Sequence, residues 1–114
     1  AYGKALDFPA EAEARAAAAR LEAEAGTRAA LALVEAADQR TTAAQRTVAT
    51  AEEGYRLARV AYEAGKSPLI ELIAARRNLG IARGVALDTL GARLDARANL
   101  ARLAGLTITG EPVQ

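Results

Sequence analysis

The chain of 114 residues contains no cysteine, histidine, methionine or tryptophan. The first absence excludes disulfides and thiolate metal sites. Without His, Cys or Met there are no usual ligands for a soft metal, and the commonest general base of enzymes is missing. One Phe and three Tyr are the whole aromatic complement. Much of the 52% hydrophobic content is alanine, which buries little area per residue and cannot fill a thick globular core. Alanine suits helices packed closely along their length. No apolar run approaches the ~20 residues that span a bilayer as a helix. The chain start, Ala1-Tyr2-Gly3-Lys4, has neither an initiator Met nor a signal-peptide apolar region, and reads as a mature or excised segment.

Charge is neither scarce nor one-sided. Fifteen Lys+Arg against 14 Asp+Glu leave a net +1, with both signs interspersed as on a solvated helical surface. No basic block stands out, which argues against nucleic acid as a partner. The basic polar face with opposed Trp or Phe that marks a membrane-surface helix is also lacking. Glu52, Glu53 and Glu71 have no converging partner or apolar pocket that would suit them to catalysis or hard-cation binding, and Arg76-Arg77 reads as a solvated face. An enzyme is the least favoured class: nothing supplies a nucleophile, a base or a cofactor loop, and no cofactor or metal is expected.

Proline and glycine, both sparse, punctuate the chain at one place above all. Gly65-Lys66-Ser67-Pro68 holds a helix stop, a cap and a restart within four residues. Gly65 can take the left-handed conformation that ends helices, Ser67 is a good N-cap, and Pro68 is tolerated at the first helical position. So short a connection folds the second helix back on the first. The expectation is an all-α antiparallel hairpin with helices over 9–64 and 68–104. Residues 1–8 are expected to be an irregular lead-in, 9–105 the hairpin, and 106–114 an extended tail after Gly105.

The first helix carries a heptad. Val34, Thr41, Val48, Tyr55 and Tyr62 recur every seven residues, with Ala30, Ala37, Ala44, Ala51 and Ala58 as a companion row. This is a coiled-coil seam whose small residues let helix axes approach. If unbroken, the helix would be ~80 Å long, giving an elongated molecule. Gly26-Thr27 is the weak point where it could break; Gly54 reads as room for a close neighbour. In the second helix, Leu69, Leu72, Ile73, Leu79, Ala82, Ala86, Leu87, Leu90, Leu94, Ala98 and Ala101 follow helical spacing over a face broad enough to suggest contact with more than one neighbouring helix. Gly80, Gly84 and Gly91 add a small-residue strip, and charged residues including Arg93 and Arg97 are placed mostly off that face. The helices are unequal, so residues 10–25 should overhang.

Tyr62-x-x-Gly65, then Leu72, Ala75, Leu79, Ala82 and Arg83, closing with Leu103-Ala104-Gly105, resembles the TolC-like outer-membrane factor family, the exit ducts of tripartite efflux pumps and type I secretion systems. The wording from Ala64 to Leu79 looks most like its heavy-metal and NodT-type branches. The resemblance implies a trimeric channel with two repeats per subunit, a β-barrel in the outer membrane and a periplasmic α-barrel. This chain would supply the helical hairpin of one repeat, touching the membrane only through strands it lacks. The turn would be the periplasmic tip that docks the hairpin of the adaptor protein. Ala64, Gly65, Lys66 and Leu69 would line the docking groove, Tyr62 would support the turn, and Glu71 would stand at the pore entrance. Two positions depart from TolC: Ala74 replaces the second residue of its acidic pair, and Ser67 stands where one repeat has a latching arginine. A generic coiled-coil interaction module and the hairpin of an adaptor are the competing readings, the latter without the strand-rich flanks such hairpins carry.

Overall fold

The computed structural model describes the backbone of residues 2–109 and the side chains of residues 10–105. Two helices account for all but the connecting turn: α1, Tyr2–Glu63, and α2, Leu69–Thr109. Glu52 faces Arg83 and Asp38 faces Arg93 and Arg97, so positions rising along α1 meet positions falling along α2: the pair is antiparallel. The molecule measures 94 × 24 × 15 Å. At 1.5 Å per residue, the 62 residues of α1 alone account for the long dimension.

The expected seam holds the pair together. Ala30, Val34, Ala37, Thr41 and Ala44 are buried, and Val48, Ala51, Tyr55 and Ala58 continue both rows half-buried. On α2 the inward positions are Leu72, Ala75, Leu79, Ala82, Ala86, Thr89, Arg93, Ala96 and Leu100, alternating steps of three and four. That alternation averages 3.5 residues, the period that keeps a stripe facing one partner helix. Thr41 is the buried polar residue of the seam. Its hydroxyl donates to the Ala37 carbonyl one turn back at 2.9 Å, which removes the penalty of an unpaired buried group.

Several expectations about extent and face are corrected. Helix α1 passes through Gly26 without a break, and residues 2–8 are helical rather than irregular. Pro9 removes one rung of the ladder, but extending a formed helix needs no new nucleus. At the other end α2 runs through Gly105 to Thr109; the rest of the expected extended tail lies outside the described residues. Leu69, Ile73, Leu87, Leu90, Leu94, Ala98 and Ala101 stay exposed, in keeping with a face too broad for one neighbour, because one partner helix covers only the 3.5-period stripe. Arg93 does the reverse and enters the stripe. Gly54, Gly80, Gly84 and Gly91 have no atom within 4 Å of where a Cβ would stand, so the hairpin itself does not use the room they leave.

The overhang is as expected: residues 10–25 are exposed throughout. Gly26, where it joins the paired half, is helical and has nothing within 4 Å of a built Cβ. Gly26→Ala should therefore stabilise the chain by about 1 kcal/mol, the helical cost of glycine relative to alanine. Chemical denaturation monitored by circular dichroism checks this, and a loss of stability would show that the helix does break at Gly26.

Candidate functional site

The turn is built by its own backbone. Gly65 has φ of +73°, the one positive φ among the described residues. That conformation turns the Lys66 N–H onto the Ala61 carbonyl at 2.9 Å and the Gly65 N–H onto the Tyr62 carbonyl at 2.9 Å. The crossed pair of bonds is a Schellman closure, which satisfies carbonyls the helix end leaves open. Helix α2 restarts at Leu69, and the Glu71 N–H reaches the Pro68 carbonyl at 3.2 Å. Ser67, expected to cap that start, does something else: its hydroxyl donates to the Glu71 carboxylate at 2.6 Å. The ionised carboxylate four residues on is a strong acceptor for the hydroxyl hydrogen, and the bond ties the turn to the first turn of α2.

All the residues singled out at the tip come together there. Ala64, Gly65 and Lys66 form the exposed bend, Tyr62 lies in the last turn of α1 and Leu69 begins α2. Tyr62 was expected in the heptad seam, yet it is 40% exposed, because α2 begins too late to cover it. Glu71 is exposed and tied to Ser67. Two residues were missed. Ile70 is 69% exposed and Ile73 52% exposed, so with Leu69 and Tyr62 they make the end of the hairpin apolar. The signal was available: Leu72 and Leu79 fix the inward stripe, and Ile70 and Ile73 fall outside it. Nothing lies within 4 Å of the Gly65 Cβ position, so the bend is open on its outer side.

Away from the tip, the acidic pair Glu52 and Glu53 divides between two partners. Glu52 lies 3.7 Å from Arg83 across the hairpin. Glu53 accepts from Arg56 Nε at 2.9 Å and Nη2 at 2.6 Å, and these hydrogen bonds hold its carboxyl below the usual carboxylate range. The linked stabilisation is present above the ordinary carboxylate pKa and is lost as pH falls through the lowered value. Both side chains are exposed, so it is small. Shallow grooves run along the flanks at mid-hairpin, one of about 370 Å³ lined by Gln45, Val48, Arg83, Ala86, Leu87 and Leu90, the other by Ala44, Thr47, Asn78, Ile81, Ala82 and Val85. Among the described residues no cluster of carboxylates is placed to hold a metal ion.

The hairpin is long and thin, with exposed apolar residues on both flanks of α2 and an open tip. The family model for outer membrane efflux proteins matches residues 4–106. The chain belongs to the outer membrane efflux protein family. No curated protein and no solved structure matches it significantly. The outer membrane efflux proteins are transport channels rather than enzymes, and the hairpin is a helical portion of such a channel. No helix among the described residues is long and apolar enough to cross a membrane.

Proposed function

We propose that this hairpin is one repeat's share of the periplasmic α-barrel of an efflux or secretion channel, and that its tip docks the helical hairpin of a periplasmic adaptor in a tripartite pump. The observation that carries the docking reading is the end of the molecule: Tyr62, Leu69, Ile70 and Ile73 exposed around a glycine bend with free space outside it. Exposed aliphatic and aromatic groups beside an open backbone turn suit the insertion of another helix end. Ala64, Gly65, Lys66 and Leu69 line the groove in this reading. Tyr62 supports the turn, and Glu71, held by Ser67, faces the entrance to the duct. The wording from Ala64 to Leu79 favours a heavy-metal or NodT-type channel. Such a duct needs no ligand of its own, since it passes cargo rather than coordinating it. Titrating the adaptor's hairpin against the chain tests docking; loss of binding when the bend is altered is the expected result.

The wall reading rests on the flanks. Leu87 and Leu94 are 69% and 68% exposed on one side of α2, and Ile81 and Val85 lie bare on the other. A single hairpin leaves both uncovered, whereas hairpins set side by side into a closed barrel, trimeric in the full channel, cover both. The chain is therefore expected to self-associate. Sedimentation velocity across a hundredfold range of concentration checks this, and a folded monomer at the highest concentration would reject it.

A further inference from the structure

We propose that Asp38, Arg93 and Arg97 form a polar lock that fixes the register of α1 against α2, independently of whatever the tip docks. The seam needs such a device. Ala30, Ala37, Ala44, Ala51 and Ala58 repeat at seven residues and meet an α2 stripe that is itself rich in alanine. A slide of one heptad puts alanine on alanine again, so apolar packing alone separates the registers weakly. Ratchets of one helix past another by a whole turn are a known mode of motion, and a heptad is two such steps.

Arg93 interrupts the stripe. It occupies the row of Leu72, Leu79, Ala86 and Leu100, where every other member is apolar. Its Nε is shielded from solvent and sits 3.0 Å from Asp38 Oδ1, an ionic contact whose N–H is not aligned for a hydrogen bond. Arg97, one turn on, donates from Nη2 to the same oxygen at 3.2 Å. Beside this cluster lies the buried Thr41, whose hydroxyl also reaches toward the Thr89 carbonyl of α2 at 3.5 Å. The lock is thus a polar layer crossing the seam roughly 40 Å along the rod from Gly65. A slide of seven residues in either direction replaces Asp38 by Leu31 or Gln45. Neither carries a counter-charge, and Arg93 would be left in the seam without one. The Arg93 and Asp38 side chains are 32% and 41% exposed, so their attraction adds little strength, while the shielded Nε left facing no acceptor disfavours a slid register. The lock then acts against the wrong registers rather than adding strength to the right one.

The test uses the 114-residue chain, whose lack of cysteine allows spin labels to be placed at Gln39→Cys and Ala98→Cys, both on exposed positions. Pulsed electron paramagnetic resonance should give one narrow distance distribution for this labelled chain. Arg93→Leu should keep or raise Tm and add a second distance component reflecting a slide of about 10 Å along the axis. Asp38→Ala, which takes the counter-charge from Arg93, should lower Tm by about 2–4 °C. A single unchanged distance in Arg93→Leu would overturn the proposal. So would a fall of Tm or loss of helicity in that variant, which would make the pair a source of stability rather than of register. An unmoved Tm in Asp38→Ala would overturn it as well.

Discussion

Gly65→Val is expected to abolish docking of the adaptor hairpin while leaving both helices formed. Gly65 holds φ of +73°, where an L-residue with a Cβ costs roughly 1–2 kcal/mol, and a β-branched one is still less compatible. No atom of the hairpin stands within 4 Å of the new Cβ, so the cost inside the chain is backbone strain alone. The turn would relax by giving up its two Schellman bonds from Gly65 and Lys66, and the relative placement of Tyr62, Leu69 and Ile70 would change with it. Loss of a central contact in an interface weakens binding by about 2 kcal/mol or more, roughly thirtyfold and upward. Gly65→Asn separates two causes. Asparagine tolerates the left-handed conformation, so it preserves the bend and adds only a short side chain on its open side. If docking requires a bare backbone there, Gly65→Asn loses binding too; if it requires only the bend, Gly65→Asn binds. Calorimetric titration of the adaptor's hairpin, with circular dichroism as the control for folding, reads both variants. Full binding by Gly65→Val would place docking elsewhere.

The largest effect on stability is expected from Ala37→Leu combined with Ala44→Leu. Both alanines are buried on the face that meets α2, at 6% and 7% exposure. Each substitution inserts three carbons where the helix axes approach through small residues, and overpacking of this kind costs about 1–3 kcal/mol per site. The two positions are two turns apart, roughly 10 Å, so their effects should nearly add to about 2–6 kcal/mol. A domain typically has 5–15 kcal/mol in hand, and a seam built on alanine belongs at the low end of that range. The double variant should therefore lose tens of degrees in Tm or splay open, whereas Ala43→Leu, at an exposed position, should melt like the parent. Thermal denaturation at fixed concentration decides it. An unmoved Tm would mean that the helices do not approach along this row.

The parts of the fold that could be read from residues alone are those where one residue type answers one geometric demand. Seven-residue spacing of Ala30 through Ala58 is a direct image of a facing helix. Gly65 between two helical stretches is the image of a left-handed stop. The unequal helices and the bare stretch 10–25 followed from those two facts. What escaped were competitions that pattern does not settle. Hydrophobicity marks Leu87 and Leu94 as needing cover from more than one helix but does not say which, and a single hairpin supplies only one. Arg93 was placed outside by its charge although its phase, seven residues from Ala86 and from Leu100, put it inside. Ser67 had the chemistry of a cap, but Glu71 lay within reach of the same hydroxyl. At the tip the bend is legible from Gly65 to Pro68, whereas the exposure of Ile70 and Ile73 depends on where α2 meets α1, which their hydrophobicity does not state.

The bareness of residues 10–25 of α1 has a thermodynamic consequence. Residues 10–25 keep their backbone ladder through local propensity alone and break no side-chain packing when they open. Their amides should exchange with deuterium orders of magnitude faster than those of 30–44, even below any melting transition. Heating then opens this stretch before the cooperative unit yields, and a single midpoint describes only the doubled part of the molecule.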